Sequence, residues 1–122
     1  MKLLLDSVIC IDHFNGIDAA TAYIRGHMEE ISISVITRAE LLTGFPREVP
    51  AEVLRFLDAI PLLAIERETA DLAAQLRRQY RWKLPDAFQA ALAVQHHCML
   101  VTRNTKDFDP KQHDFVVVPY SL

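Results

Sequence analysis

Leu3-Leu4-Leu5-Asp6-Ser7-Val8-Ile9-Cys10-Ile11-Asp12 is the stretch on which the fold turns. Three leucines and the apolar run from Val8 to Ile11 form a short, nearly continuous hydrophobic segment. Such runs fit parallel strands buried on both faces. Asp6 interrupts it. An ionised carboxylate inside a buried strand is costly unless compensated. Asp6 therefore stands either at the strand's end, in a turn or a cap, or where it binds something positive.

Outward from this stretch, strands and helices alternate. Residues 31–36 (ISISVI) alternate with period two and read as a strand; 62–65, 98–102 and 115–118 read as three more. Helices are predicted over 18–30 with Asp18 as cap, over 37–42 ended by Gly44 and Pro46, over 51–60, and over 68–81 with Leu72, Ala73 and Leu76 inward. A further helix over 86–97 is so apolar that it must be largely buried. This alternation predicts an α/β domain with a mainly parallel sheet and helices on both faces. A chain of 122 residues suits one domain, 1–122, with one core. Residues 104–114 are the expected irregular segment.

Composition removes several function classes. At 51% hydrophobic and 24% charged, the chain is not disordered. A net charge of −3 excludes a globally basic nucleic-acid binder but not a local basic patch. Cys10 and Cys98 lie in apolar runs without CxxC or Cys/His spacing, as expected of buried, reduced thiols in a cytoplasmic protein. No apolar stretch is long enough to span a membrane, and the start enters a strand without a signal-peptide cleavage segment. His96 and His97 are adjacent, so they point apart at a helix end and make no metalloprotease spacing. No glycine-rich phosphate loop is present.

In a parallel sheet, ligands collect beyond the carboxyl ends of the strands. Asp6 ends the first strand. Glu40 shares a helical stripe with Ile36 and Gly44, so an inward Ile36 draws it toward the interior edge. Asp86 opens the buried helix, and Arg103-Asn104-Thr105-Lys106-Asp107 follows a late strand. Taken singly, a turn residue, a solvent-facing glutamate and a helix cap are the ordinary readings of Asp6, Glu40 and Asp86. Converging carboxylates, however, repel and raise one another's pKa. A hard divalent cation removes the conflict, taking oxygen ligands and keeping several waters. Such an ion acidifies a bound water and stabilises charge on a phosphate, which equips a site for phosphodiester hydrolysis. Arg77, Arg78, Arg81 and Lys83 precede Asp86 and offer salt-sensitive phosphate contacts, with Tyr80 and Trp82 as stacking platforms. The alternative for these is a solvated helix face with its aromatics packed on the body.

Four segments together resemble the PIN-domain ribonucleases, specifically the VapC-like toxins of type II toxin–antitoxin systems. Residues 4–12 (LLDSVICID) are similar to the family opening LLDTNVLID. Residues 33–44 (ISVITRAELLTG) match S-x-I-T-x-A-E-L-x-x-G, and 84–93 (LPDAFQAALA) match DA-x-x-A-A-x-A. Residues 100–108 (LVTRNTKDF) match L-x-T-R-[DN]-x-x-x-F. They occur in family order across nearly the whole chain. The resemblance implies a three-layer α/β/α sandwich and a Mg²⁺-dependent endoribonuclease, with Mn²⁺ as the substitute ion. It carries the family acids onto Asp6, Glu40 and Asp86, with Asp6 and Asp86 on the metal directly. Glu40 and Asn104 then act through water. Asn104 stands where aspartate is frequent, and Asp107 offers the missing charge as a further metal ligand. Val8 replaces the usual asparagine, while Ser7 keeps the hydroxyl usually supplied by threonine. Ser7 and Thr102 are expected to orient the phosphate, with Arg103, Arg81 and Lys83 as substrate contacts. The resemblance also implies an RNA substrate, a small antitoxin partner lying across the acidic site, and a homodimer, for which exposed apolar positions around 53–57 and 72–76 are candidate surfaces, with core packing the ordinary reading for most of them. Three competitors have less support, the first a receiver-like phosphoacceptor, which wants paired acids and a strand-end lysine that the chain does not clearly offer. A phosphatase resembling the haloacid dehalogenases needs a second aspartate after Asp6, where Val8 stands. A non-catalytic PIN-like binding module does not account for the retained Asp6, Glu40 and Asp86. Asp12 is expected to start the next turn rather than to join the site.

Overall fold

The structure, a computed structural model, describes residues 2–122. Its elements run β1 (Leu3–Leu5), α1 (Ser7–Phe14), α2 (Asp18–Gly26), β2 (Ile31–Ser34), α3 (Val35–Thr43), α4 (Ala51–Ala59), β3 (Leu62–Leu63), α5 (Arg67–Tyr80), α6 (Leu84–Gln95), β4 (Met99–Val101) and β5 (Val116–Val117). The five strands form one parallel sheet in the order β3-β2-β1-β4-β5. Central β1 sets Leu3 opposite both Ile31 and Met99, and Leu4 opposite both Ser32 and Leu100. The chain builds outward from β1 in one direction through β2 and β3, then in the other through β4 and β5. The switch point therefore lies between β1 and β4, where a parallel sheet opens its binding crevice.

All three β1 leucines are buried, and their alternation divides the core. Leu3 and Leu5 join Ile31, Ile33 and Val101 against Ile9 and Cys10 of α1, Ile24 of α2, Leu41 of α3, and Val53 and Leu57 of α4. Leu4 and Leu100 face the other way, against Ala73 of α5, the alanine-rich face of α6, Trp82 and Phe108. Helices α1–α4 thus cover one face and α5–α6 the other, which is the α/β/α sandwich. Small side chains at Ala87, Ala90, Ala91 and Ala93 let α6 lie close to its neighbours, and they are fully buried. Val53 and Leu57 belong to the core, and Leu72 and Leu76 pack against it, so these positions do not form a free dimer surface.

The second apolar run of the opening stretch is helix, not strand. Asp6 adopts extended backbone angles and its Oδ1 accepts from the Ser7 amide at 2.9 Å, so it ends β1 and caps α1. Ser34 does the same one strand over. Its Oγ accepts from the Thr37 amide at 3.0 Å, and Val35–Ile36 therefore open α3 instead of continuing β2. In each case a capping side chain turns β-branched residues that favour strands into the first turn of a helix. Asp18 is not a cap: it lies in the first turn of α2, whose N-cap is Ile17, and α2 ends at Gly26. Asp86 is not a cap either. Helix α6 starts two residues earlier, with Pro85 in its first turn and Lys83 at the N-cap. Cys10 and Cys98 are free and buried, and burial beside Asp6 pushes the Cys10 thiol up to about 12.

Asp12 lies inside α1 rather than at a turn. It is buried and accepts two bonds from the Arg103 guanidinium, Nε at 2.7 Å and Nη2 at 2.9 Å, and a third from the Tyr120 hydroxyl at 2.8 Å. This clasp joins α1, the segment after β4 and the C-terminal residues. The guanidinium holds the Asp12 carboxyl below its ordinary 3.8. Its stabilisation is therefore full above that value and is lost as pH falls through the lower folded-state value. Asp12→Ala, which leaves Arg103 unpaired, is expected to cost about 2–3 kcal/mol in urea unfolding at neutral pH. The gap from wild type should close below pH 3.8.

Candidate active site

The acids gather at the switch point, each delivered by a different element. Asp6 ends β1. It is only 7% exposed, and both carboxylate oxygens are engaged. Oδ1 accepts from the Ser7 amide and from Gln89 Nε2 at 3.2 Å; Oδ2 accepts from Thr102 Oγ1 at 2.7 Å. All three donors are neutral. Glu40 projects from α3. The residue is exposed, yet its carboxyl is partly desolvated, and this together with the charge of Asp6 raises its pKa, against a hydrogen bond from Ser7. Asp86, in the first turn of α6, is pushed up to about 6 by burial and then by Asp6, Asp107 and Glu40, with Lys83 pulling the other way.

Asn104 and Asp107 form one turn after β4. Asn104 Nδ2 donates to Asp107 Oδ2 at 3.0 Å, and the Asp107 amide donates back to Asn104 Oδ1 at 3.4 Å. The Asn104 amide itself donates to Thr102 Oγ1 at 3.0 Å. Trp82 fixes the other side of this loop, its indole N–H reaching the Asp107 carbonyl at 2.8 Å. Phe108, fully buried, anchors the loop's end beside the Trp82 ring. The loop thus holds Asp107 where its charge reaches Asp86.

Three of the expected substrate contacts lie elsewhere. Thr102 is fully buried, its hydroxyl spent on Asp6 and Asn104, so it stands behind the acid instead of before it. Arg103 turns Nε and Nη2 of its guanidinium to Asp12. Trp82 is buried and packs on Tyr80, Phe108 and His113, which rules it out as an open stacking platform. Arg77 donates to the Trp82 carbonyl. Arg78, Arg81 and Lys83 are exposed; the charge of Lys83 reaches Asp86, and Arg81 adopts the left-handed conformation that closes α5. Ser7 stays at the site, next to Asp6 and bonded to Glu40. His96 and His97 lie at the end of α6, away from the acids.

Sequence reading passed over Gln89, which reaches Asp6, Ser34 and Thr37. Its signal was present: it is the one polar residue in the run from Ala87 to Val94. It also passed over Tyr120, whose bond to Asp12 spans 108 residues and leaves no local pattern.

The donor set is all oxygen. Among the described residues no three His, Cys, Asp or Glu side chains close into a ready-made metal cage. A hard divalent cation fits such a place, because it takes one or two carboxylates directly and keeps water for the rest. Mutual repulsion is the physical sign of that fit: four acids share a field in which Lys83 is the cation that lowers Asp86.

The chain is similar in sequence and in fold to known proteins. The family model described as "PIN domain" matches residues 3–112. A curated relative, Ribonuclease VapC19 of Mycobacterium tuberculosis, is 30% identical over 113 residues, covering 86% of this chain and 90% of the relative. The solved structure described as a toxin–antitoxin complex from Klebsiella pneumoniae contains a chain 33% identical, with a TM-score of 0.87 over 99% of this chain and 100% of that one. FitAcB from Neisseria gonorrhoeae shares the fold at a TM-score of 0.78 and 23% identity, over 98% and 99% of the two chains. Sequence match, fold and the acids at the sheet's switch point agree, and the chain belongs to the PIN-domain family as a VapC-like member.

Proposed function

We propose that this chain, acting as one domain over 1–122, is a Mg²⁺- or Mn²⁺-dependent endoribonuclease. It would be the toxin of a type II toxin–antitoxin pair, cleaving structured RNA in the cytoplasm. The observation that carries the reading is the convergence of Asp6, Glu40, Asp86 and Asp107 from four elements, with Asp86 raised to about 6. Acids that raise one another's pKa in this way cluster at functional sites.

Asp6 and Asp86 would hold the ion. Bound there, it would supply a Lewis acid for the phosphate and lower the pKa of a water. The chain's own groups do the remaining work. Glu40, open to solvent and raised in pKa, would take a proton from the attacking water. Asp107 adds charge to the site, and Asn104 fixes its carboxylate through Nδ2. Ser7 remains the candidate for orienting the phosphate. Arg78, Arg81 and Lys83 are the open cations for the RNA backbone, and Tyr80 is the exposed aromatic beside them.

The antitoxin is supported by the complexes found among the similar structures. A cavity of about 280 Å³ also includes Glu40 in its lining, together with Ile11, Phe14, Leu41 and Phe45. An apolar segment ending in a basic side chain fits that lining. Homodimerisation is part of the proposal and is read by sizing the chain with and without its antitoxin.

The decisive experiment is cleavage of structured RNA with and without Mg²⁺ or Mn²⁺, comparing wild type with Asp6→Asn and Asp86→Asn. Each substitution should lower cleavage about a hundredfold or more, the equivalent of losing several kcal/mol of charge stabilisation. Cleavage that persists in both variants, or without metal, would overturn the proposal.

The raised pKa of Asp86 gives a second test with opposite signs for function and stability. Metal must displace a proton there, so Mg²⁺ affinity and cleavage should both fall as pH drops through about 6. Without metal, the folded state binds that proton more tightly than the unfolded chain does. Metal-free stability should therefore rise as pH falls from about 6 toward 3.8. At neutral pH, Asp86→Asn should melt higher than metal-free wild type, by roughly 3–6 °C for about 1 kcal/mol of relieved repulsion. Mg²⁺ should raise the melting temperature of wild type and not that of the variant.

The basic ridge is tested by salt. Lys83→Ala should weaken RNA binding and reduce the slope of log affinity against log salt by about 0.7 for a single-stranded contact. An unchanged slope would remove Lys83 from the RNA path.

A further inference from the structure

Gln89 sits in the middle of α6, three residues after Asp86, and is 1% exposed. Its amide touches three other elements. Nε2 donates to Asp6 Oδ1 at 3.2 Å and to Thr37 Oγ1 at 2.8 Å, while Oε1 accepts from Ser34 Oγ at 2.6 Å. The orientation of the amide is chemically determined. A carboxylate only accepts, so the NH₂ group must face Asp6 and the carbonyl must face the Ser34 hydroxyl. Ser34 in turn accepts from the Thr37 amide at the cap of α3. Ser34 and Thr37 are fully buried, and no buried side-chain polar atom among the described residues lacks a partner.

Packing alone does not call for this arrangement. A methionine or leucine of similar volume would fill the same place between α6 and the sheet with no polar atoms to satisfy. We propose that Gln89 is a positioning residue of the site: its amide fixes the Asp6 carboxylate, and through Ser34 and Thr37 it locks α3, which bears Glu40, to α6, which bears Asp86. The inference rests on the metal-dependent reading of these acids. A neutral amide suits that role better than a lysine or arginine. It holds a carboxylate oxygen in one direction without cancelling its charge, so the charge stays available to an external cation. Residues that orient metal ligands in this way typically contribute 10–100-fold to affinity or activity when lost.

The test uses the full chain with Gln89→Met, Thr37→Val and Ser34→Ala. Calorimetric titration with Mg²⁺ or Mn²⁺ should show affinity lowered about 10–100-fold in Gln89→Met. Turnover of RNA should fall while KM for RNA stays within about twofold, since the substrate is bound by other groups. Thr37→Val and Ser34→Ala keep the direct bond to Asp6 but free the amide, so they should weaken metal binding severalfold. Combining Thr37→Val with Gln89→Met should add little. A folded Gln89→Met chain with wild-type metal affinity overturns the inference. If that variant does not fold, unchanged metal affinity in both Thr37→Val and Ser34→Ala overturns it instead. A metal-free crystal structure of Gln89→Met, or of Thr37→Val should the former not fold, separates this inference from the functional reading. Asp6 should leave its wild-type orientation even if wild type proves neither to bind metal nor to cleave RNA. An Asp6 side chain that stays in place overturns the positioning role alone.

Discussion

The carboxylate of Asp6, held at the end of the central strand by neutral donors only, is the interaction on which the rest of the site depends. A buried carboxylate needs hydrogen bonds, a cation or a proton to offset the loss of water. Here the Ser7 amide, Gln89 and Thr102 supply hydrogen bonds, and none of them supplies charge. The same side chain stops β1 and starts α1, so the position of the acid and the path of the backbone are set together. Because β1 lies between β2 and β4, the end of that strand is also the sheet's switch point. Topology places Asp6 there, and local hydrogen bonding keeps it.

A second acid in the same stretch shows what Asp6 lacks. Asp12 is equally buried, six residues on, but meets a bidentate guanidinium and a phenol. Its pKa is pulled down, whereas those of Glu40 and Asp86 are pushed up. The difference separates the acid of the clasp from those of the candidate site more firmly than burial does. Arg103 is the chain's means of making it. Turned toward Asp12, it braces the loop after β4 without neutralising the acids on the other side of that loop. An arginine pointing at Asp6 would cancel the charge that the neutral donors leave in place.

Much of this was legible in the sequence, and the failures have physical causes. The order of strands and helices, the parallel sheet and the convergence of Asp6, Glu40 and Asp86 follow from alternation and from the rule about strand ends. Residues 8–11 and 35–36 misled because β-branched residues carry a strand preference that a cap overrides. Reading Asp6 and Ser34 as caps would have recovered both helices. Trp82 and Arg103 looked like substrate contacts because side-chain type was visible and direction was not. Their partners, the Asp107 carbonyl and Asp12, lie 25 and 91 residues away. Gln89 is different, since a lone amide in an apolar helix is a local irregularity. Where pattern and propensity disagree with a single polar residue, that residue is commonly at a functional site.

Asn104 shows how such a site tolerates an apparent loss. An amide there removes a negative charge from a position where the family frequently has aspartate, which on sequence alone suggests a weakened site. In the structure the charge sits three residues later, at Asp107, and the amide is what holds it: Asn104 gives Nδ2 to Asp107 Oδ2 and takes the Asp107 N–H on Oδ1. An aspartate at 104 has no hydrogen to give and would oppose Asp107 at the same distance. The loop is further fixed by Trp82 on the Asp107 carbonyl and by buried Phe108 at its end. The exchange keeps the field on Asp86 while avoiding a fifth acid at the site. Charge at the mouth of this sheet is therefore a property of the loop as a folded unit, and a position-by-position count of acids does not capture it.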